Sequence, residues 1–184
     1  MKLLLRIGAL AMAFLPGAGL VRPGMVAAQT ADPKPGAETK RLGYFVGKWS
    51  GEVEVKPTQF GPEGKFTESA DSSWMPGGFF IVMHWLEKIP TGQGRTLMVL
   101  GYDATEKVYT FNTFQGTGEA AAARGTLEGD TWTFYGESPM GGKPMKSRFS
   151  MKELSLTSCR TRLEVSPDGT TWTIVMEGKI TKAK

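Results

Sequence analysis

Apolar and polar residues alternate with a period of two along most of this chain. In Met145–Lys152, Met145, Phe149 and Met151 oppose Lys146, Arg148 and Lys152. In Thr171–Thr181, Trp172, Ile174, Met176, Gly178 and Ile180 share one face, Thr171, Thr173, Glu177, Lys179 and Thr181 share the other, and Val175 breaks the pattern. Period two is the mark of a strand with one face buried. Short runs of this kind recur, each bounded by turn residues such as Pro76-Gly77-Gly78, Glu128-Gly129-Asp130 and Pro167-Asp168-Gly169.

The runs are Gly47–Lys56, Lys65–Met75, Phe79–Lys88, Thr96–Asp103, Val108–Gln115, Glu119–Leu127, Thr131–Glu137, Met145–Lys152, Thr157–Val165 and Thr171–Thr181. They predict about ten strands, and their short connections make sequence neighbours spatial neighbours. The expected fold is all-β: an antiparallel up-and-down β-barrel of about ten strands. Glu38–Val46 can form one or two helical turns that cap one end. No helix-length pattern follows residue 46, which disfavours a βαβ fold. The third run is apolar on both faces, with Phe79, Ile81, Met83 and Trp85 against Phe80, Val82 and Leu86. Such a strand needs cover outside as well as filling inside, which the helical segment or a second copy in a homodimer would supply.

The first residues have a different character. Lys2 and Arg6 precede the apolar run Ile7–Leu15, which is too short to span a bilayer, and Val26-Ala27-Ala28 supplies small residues for cleavage before Gln29. This predicts a signal peptide at residues 1–28, a flexible arm at 29–40, a barrel domain at 41–184, and a periplasmic or secreted protein with no membrane span in its mature form. The chain carries 22 basic and 18 acidic residues, net +4. Lys2, Arg6 and Arg22 leave with the leader, so 19 against 18 gives +1. That balance is no footprint for nucleic acid. Cys159, the one cysteine, permits no internal disulfide and reads as a small buried residue.

Several blocks resemble a bacterial family of uncharacterised function, DUF1579. They are Leu42-Gly43-Tyr44-Phe45-Val46-Gly47-Lys48-Trp49, Gly101-Tyr102-Asp103, Gly125-Thr126-Leu127-Glu128-Gly129-Asp130-Thr131-Trp132, Met140-Gly141-Gly142-Lys143-Pro144 and Ser166-Pro167-Asp168-Gly169. The resemblance spans roughly residues 40–182. It implies a lipocalin-like, calycin-type barrel and no particular reaction. Gly47-x-Trp49 also looks like the lipocalin signature, in which the Trp closes the barrel floor and stacks on a basic side chain of the last strand, here Lys179 or Lys182.

Motifs for chemistry are absent. HExxH, CxxC, an EF-hand loop and G-x-S-x-G do not occur, and one His with one Cys is too few for a zinc site. No histidine follows His84 that could hold haem, so no metal or cofactor is expected and no catalytic residue is assigned. The expected function is binding of a small apolar or amphipathic ligand in the interior. The alternatives are an enzyme using His84 or a buried carboxylate such as Glu137 as base, and a dimeric interaction module. Candidate ligand contacts are Trp49, Met83, His84, Trp85, Asn112, Tyr135, Arg148, Arg160 and Arg162. Met and aromatic side chains would hold the apolar part. If Arg160 and Arg162 face inward, they can fork onto a carboxylate or phosphate head; if outward, they form a solvated stripe.

Overall fold

The structure is a computed structural model describing residues 33–89, 92–140 and 142–183; the expected leader lies outside the described residues. Helix α1 (Ala37–Arg41) runs into a 3-10 turn (Leu42–Phe45), matching the stretch read as one or two helical turns. Ten strands follow: β1 (Gly47–Val55), β2 (Gly64–Trp74), β3 (Ile81–Ile89), β4 (Gly92–Asp103), β5 (Val108–Gln115), β6 (Ala120–Glu128), β7 (Thr131–Met140), β8 (Lys143–Ser155), β9 (Ser158–Ser166) and β10 (Thr173–Lys182). Each pairs antiparallel with its sequence neighbours, and β1 pairs with β10 from Trp49↔Lys182 to Val55↔Met176, so the sheet closes on itself. Closure leaves no edge among these strands for another chain to extend.

The structure shifts several boundaries. Pro139 and Pro144 were expected in a loop but stand opposite each other at the ends of β7 and β8. The eighth run was expected to end at Lys152, but β8 continues to Ser155 with a bulge between Glu153 and Ser155. Phe79 and Phe80 precede β3, and Phe80 folds across Gly101, where a Cβ would lie 2.6 Å from its ring. Val175 broke the alternation because β10 bulges between Ile174 and Met176. The extra residue resets the pleat, and Val175 is buried with Met145 and Val165.

The core is asymmetric along the barrel axis. At the helix end, Leu42, Phe45, Trp49, Trp132, Tyr109 and Ile180 form a packed floor, and Trp132 is 0% exposed. The floor is also tied down by hydrogen bonds. Trp49 Nε1 donates to the Phe45 carbonyl at 2.8 Å, Tyr44 OH to the carbonyls of Ser155 and Ser158, and Tyr109 OH to that of Glu38. Arg41 donates to Glu153, which also accepts from Trp132 Nε1 at 2.7 Å. Lys182 Nζ donates to the Tyr44 carbonyl and lies 4.9 Å from the Trp49 ring centroid, so of the two lysines weighed it is Lys182 that stacks there. At the other end, Phe60 from the β1–β2 loop packs with Met140, Leu163 and Met176 over the second, smaller cluster.

Close approach of paired backbones demands missing side chains, most severely at Gly51 and Gly125. A Cβ on Gly51 would run into the Lys179 carbonyl, and one on Gly125 into the Thr133 carbonyl. Backbone atoms of a paired strand cannot swing aside as a flexible side chain can. Gly125→Ala is therefore expected to lower the unfolding free energy by about 1–3 kcal/mol or more, read from the urea midpoint. A wild-type midpoint would contradict the close approach.

Candidate functional site

Above the floor the barrel is hollow. The cavity has a volume of about 380 Å³. Its wall follows from the pleat: alternate residues of each strand point inward. β3 contributes Met83, Trp85 and Glu87; β2 contributes Phe66 and Glu68; β4 contributes Thr96 and Met98. β5 supplies Phe111, Thr113 and Gln115, and β8 supplies Phe149 and Met151. The space exists because the facing wall is made of small residues. Ala121, Ala123 and Gly136 line β6 and β7, and a Cβ on Gly136 would already crowd the Ala122 carbonyl at 3.0 Å. Phe111, Phe134 and Phe149 stack within the cavity wall, with centroids 5.2 and 5.7 Å apart.

The polar groups of this interior are carboxyls. Glu68 and Glu87 are direct cross-strand partners on β2 and β3, and both face in. Glu68 is 7% exposed, and its Oε1 has no hydrogen-bond partner. Burial, reinforced by the nearby Glu87 charge, pushes its carboxyl up to about 8. Burial also raises Glu87 above the usual carboxylate range. Beside them Trp85 Nε1 is a buried donor without a partner. Glu87 leans over Gly94, whose Cβ, if present, would sit 3.0 Å from Oε2.

The structure divides the residues singled out in the sequence. Met83 and Trp85 line the cavity, and Trp49 belongs to the floor beneath it. The other candidates sit on the opposite face of their strands. His84 is exposed between inward Met83 and Trp85, so it cannot serve as a base in this cavity. Asn112 lies between inward Phe111 and Thr113 and points out by the same alternation. Tyr135 and Arg148 are brought together as a cross-strand pair, but outside the barrel. There Arg148 forks onto Glu164 at 2.8 Å and covers the Trp172 ring at 4.4 Å. Arg160 is exposed. Arg162 borders the cavity, yet its guanidinium reaches Glu177 Oε2 at 3.3 Å. Arg148 and Arg160 thus take the outward alternative, while Arg162 borders the cavity with its guanidinium directed to Glu177. Glu137 stands exposed at the mouth.

Glu68 and Glu87 were missed by the sequence reading. The signal was present in the alternation, since Glu87 follows Ile81, Met83 and Trp85 on one face, and Glu68 lies between Phe66 and Ala70. Cys159 is fully buried, and burial pushes its thiol up to about 12, which makes it inert. Among the described residues no three His, Cys, Asp or Glu side chains gather in a way that could hold a metal ion, and no helix is long and apolar enough to cross a membrane.

Comparison with known proteins agrees with this architecture. The family described as "Protein of unknown function (DUF1579)" matches residues 34–182. No curated protein matches the chain. Among solved structures, Rv2717c from M. tuberculosis is similar, with a TM-score of 0.57 at 10% identity, covering 81% of this chain and 99% of that one. The S-type phycobiliprotein lyase CPES from Guillardia theta is also similar, with a TM-score of 0.55 at 10% identity, covering 79% of this chain and 92% of that one. At such identity the likeness speaks for a shared lipocalin-like barrel and for nothing further.

Proposed function

Since the chain belongs to the DUF1579 family and folds as a hollow barrel, we propose that it is an exported carrier or receptor that binds a small, largely apolar molecule in its interior. The observation that carries this reading is the cavity itself. Its volume of about 380 Å³ lies in the range of small-molecule sites, and its wall is mostly apolar with a few placed polar groups. Met83, Met98, Met151 and Met176 supply flexible, polarisable surface suited to irregular shapes. Export is supported by the leader-like pattern of residues 1–28, and the N-terminal sequence of protein recovered from a periplasmic fraction tests it.

The binding reading is tested with a non-basic apolar dye, N-phenylnaphthylamine, added to the purified chain without its leader. Saturable, blue-shifted fluorescence is expected. A double variant, Ala121→Leu with Ala123→Leu, fills the cavity from the β6 wall. It is expected to weaken dye binding about tenfold or more, the worth of a couple of buried methylene contacts, while remaining folded by circular dichroism. Unchanged binding in that variant would place the dye elsewhere and count against an interior site.

A further inference from the structure

We propose, resting on the interior-binding reading above, that the ligand is an apolar amine whose ammonium group sits between Glu68 and Glu87 with its hydrocarbon body against the Met and Phe wall. Two independent features of the cavity point to it. First, the carboxyls are neighbours on adjacent strands, face the same space, and form no salt bridge among the described residues. Arg162, the basic residue on the wall among the described residues, is turned to Glu177. Second, Glu68 Oε1, an acceptor on a residue 7% exposed, has no hydrogen-bond partner among the described residues, and an ammonium N–H can satisfy it. Native proteins satisfy such atoms, and an orphan at a cavity wall marks where a ligand group belongs.

The chemistry of the pair selects the class of ligand. An acidic head group would add negative charge beside the two carboxyls and is disfavoured. An alcohol can donate one hydrogen bond to Glu68 but brings no charge, so Glu68 stays protonated beside Glu87. An ammonium offers several donors and one positive charge, so both carboxyls can ionise around it. Burial holds Glu68 largely protonated at neutral pH when nothing is bound, which lessens the negative charge of the empty site. The cation then displaces that proton. The titratable or charged groups bordering the space are Glu68 on β2, Glu87 on β3, Glu137 at the mouth on β7 and Arg162 on β9; β1, β5, β6 and β8 contribute none. Trp85 adds an aromatic ring beside the site, where its face attracts a cation.

The test is displacement of N-phenylnaphthylamine by decylamine, decanol and decanoate at neutral pH, with wild type, Glu68→Gln and Glu87→Gln. Decylamine is expected to compete about tenfold or more better than decanol, the scale of one charge-assisted hydrogen bond, with decanoate the weakest. Either glutamine variant is expected to abolish the preference for the amine while dye and decanol still bind, which shows that the cavity stays intact. Binding of decylamine is also expected to release protons, read as a dependence of the calorimetric heat on the ionisation enthalpy of the buffer. Equal competition by decanol and decylamine, or a preference that survives both substitutions, overturns the amine assignment and leaves the interior-binding reading standing. A chain that binds neither dye nor any of the three compounds overturns both.

Discussion

Between about pH 5 and pH 8 the wild-type barrel is expected to lose about 3–4 kcal/mol of unfolding free energy, a loss that Glu68→Gln should largely remove. The reason is the burial of Glu68 beside Glu87. Its carboxyl is held at about 8 in the folded chain against an ordinary 4.5. Between those two values the folded state keeps a proton that the unfolded state has already released. Unfolding then releases a proton, so rising pH favours the unfolded state. The contribution is fully present below 4.5 and is lost as the pH climbs through about 8. Glu87, also raised by burial, acts in the same direction. Glu54, Glu177 and Asp168 are shifted the opposite way by hydrogen bonds, and their effect falls on the acid side of this window. Urea unfolding of both proteins across the pH series provides the measurement. The comparison rests on slopes, since a buried glutamine amide changes the absolute stability as well. Parallel wild-type and Glu68→Gln curves would show that the carboxyl is hydrated in solution and not buried as described. A bound amine should flatten the wild-type curve, because it stabilises the ionised pair only in the folded state.

Trp132→Ala is expected to cost about 3–5 kcal/mol, the usual range for removing a fully buried large aromatic side chain. Trp132 is fully buried at the centre of the floor, with its ring 5.0 Å from Phe45 and 4.8 Å from Tyr109. Its indole N–H also orients Glu153, the carboxylate that receives Arg41 from helix α1. The alanine therefore opens a void and loosens the attachment of the helical cap together. Trp132→Phe keeps one aromatic ring in the floor, deletes the N–H donor and leaves a smaller void, so its cost should be about 1–2 kcal/mol. Both variants lose the hydrogen bond, so the difference between them reads the packing of the retained ring, and denaturant midpoints at matched m-values measure it. An alanine variant within about 1 kcal/mol of wild type would mean that the floor is not the structural anchor described.

The floor and the cavity differ in how visible they were in the amino-acid pattern. Trp49 announced itself through its place after Gly47 at the start of the first strand, and its stacking on Lys182 needed only the pairing of first and last strands. The cavity was legible as a supply of Met and aromatic residues on alternating positions, but its polar lining was not. Arg148 and Arg162 drew attention as recognition residues, yet they find Glu164 and Glu177 as partners. Glu68 and Glu87 lie about twenty residues apart, and each alone reads as an ordinary strand carboxylate. Only the β2–β3 register sets one beside the other.

Sequence alone was enough to determine the strands, their order round the barrel and the helical segment at the end, because period-two alternation and short connections are local properties of the chain. It also determined that most strands carry one apolar and one polar face, the third being apolar on both. Which face turns inward, where a bulge resets the pleat, and which side chains meet across strands were decided by closure. Closing the sheet couples the registers of all ten strands to one another, and the small residues of β6 and β7 leave a void only when they face Phe66, Glu68, Trp85 and Glu87 across the finished interior.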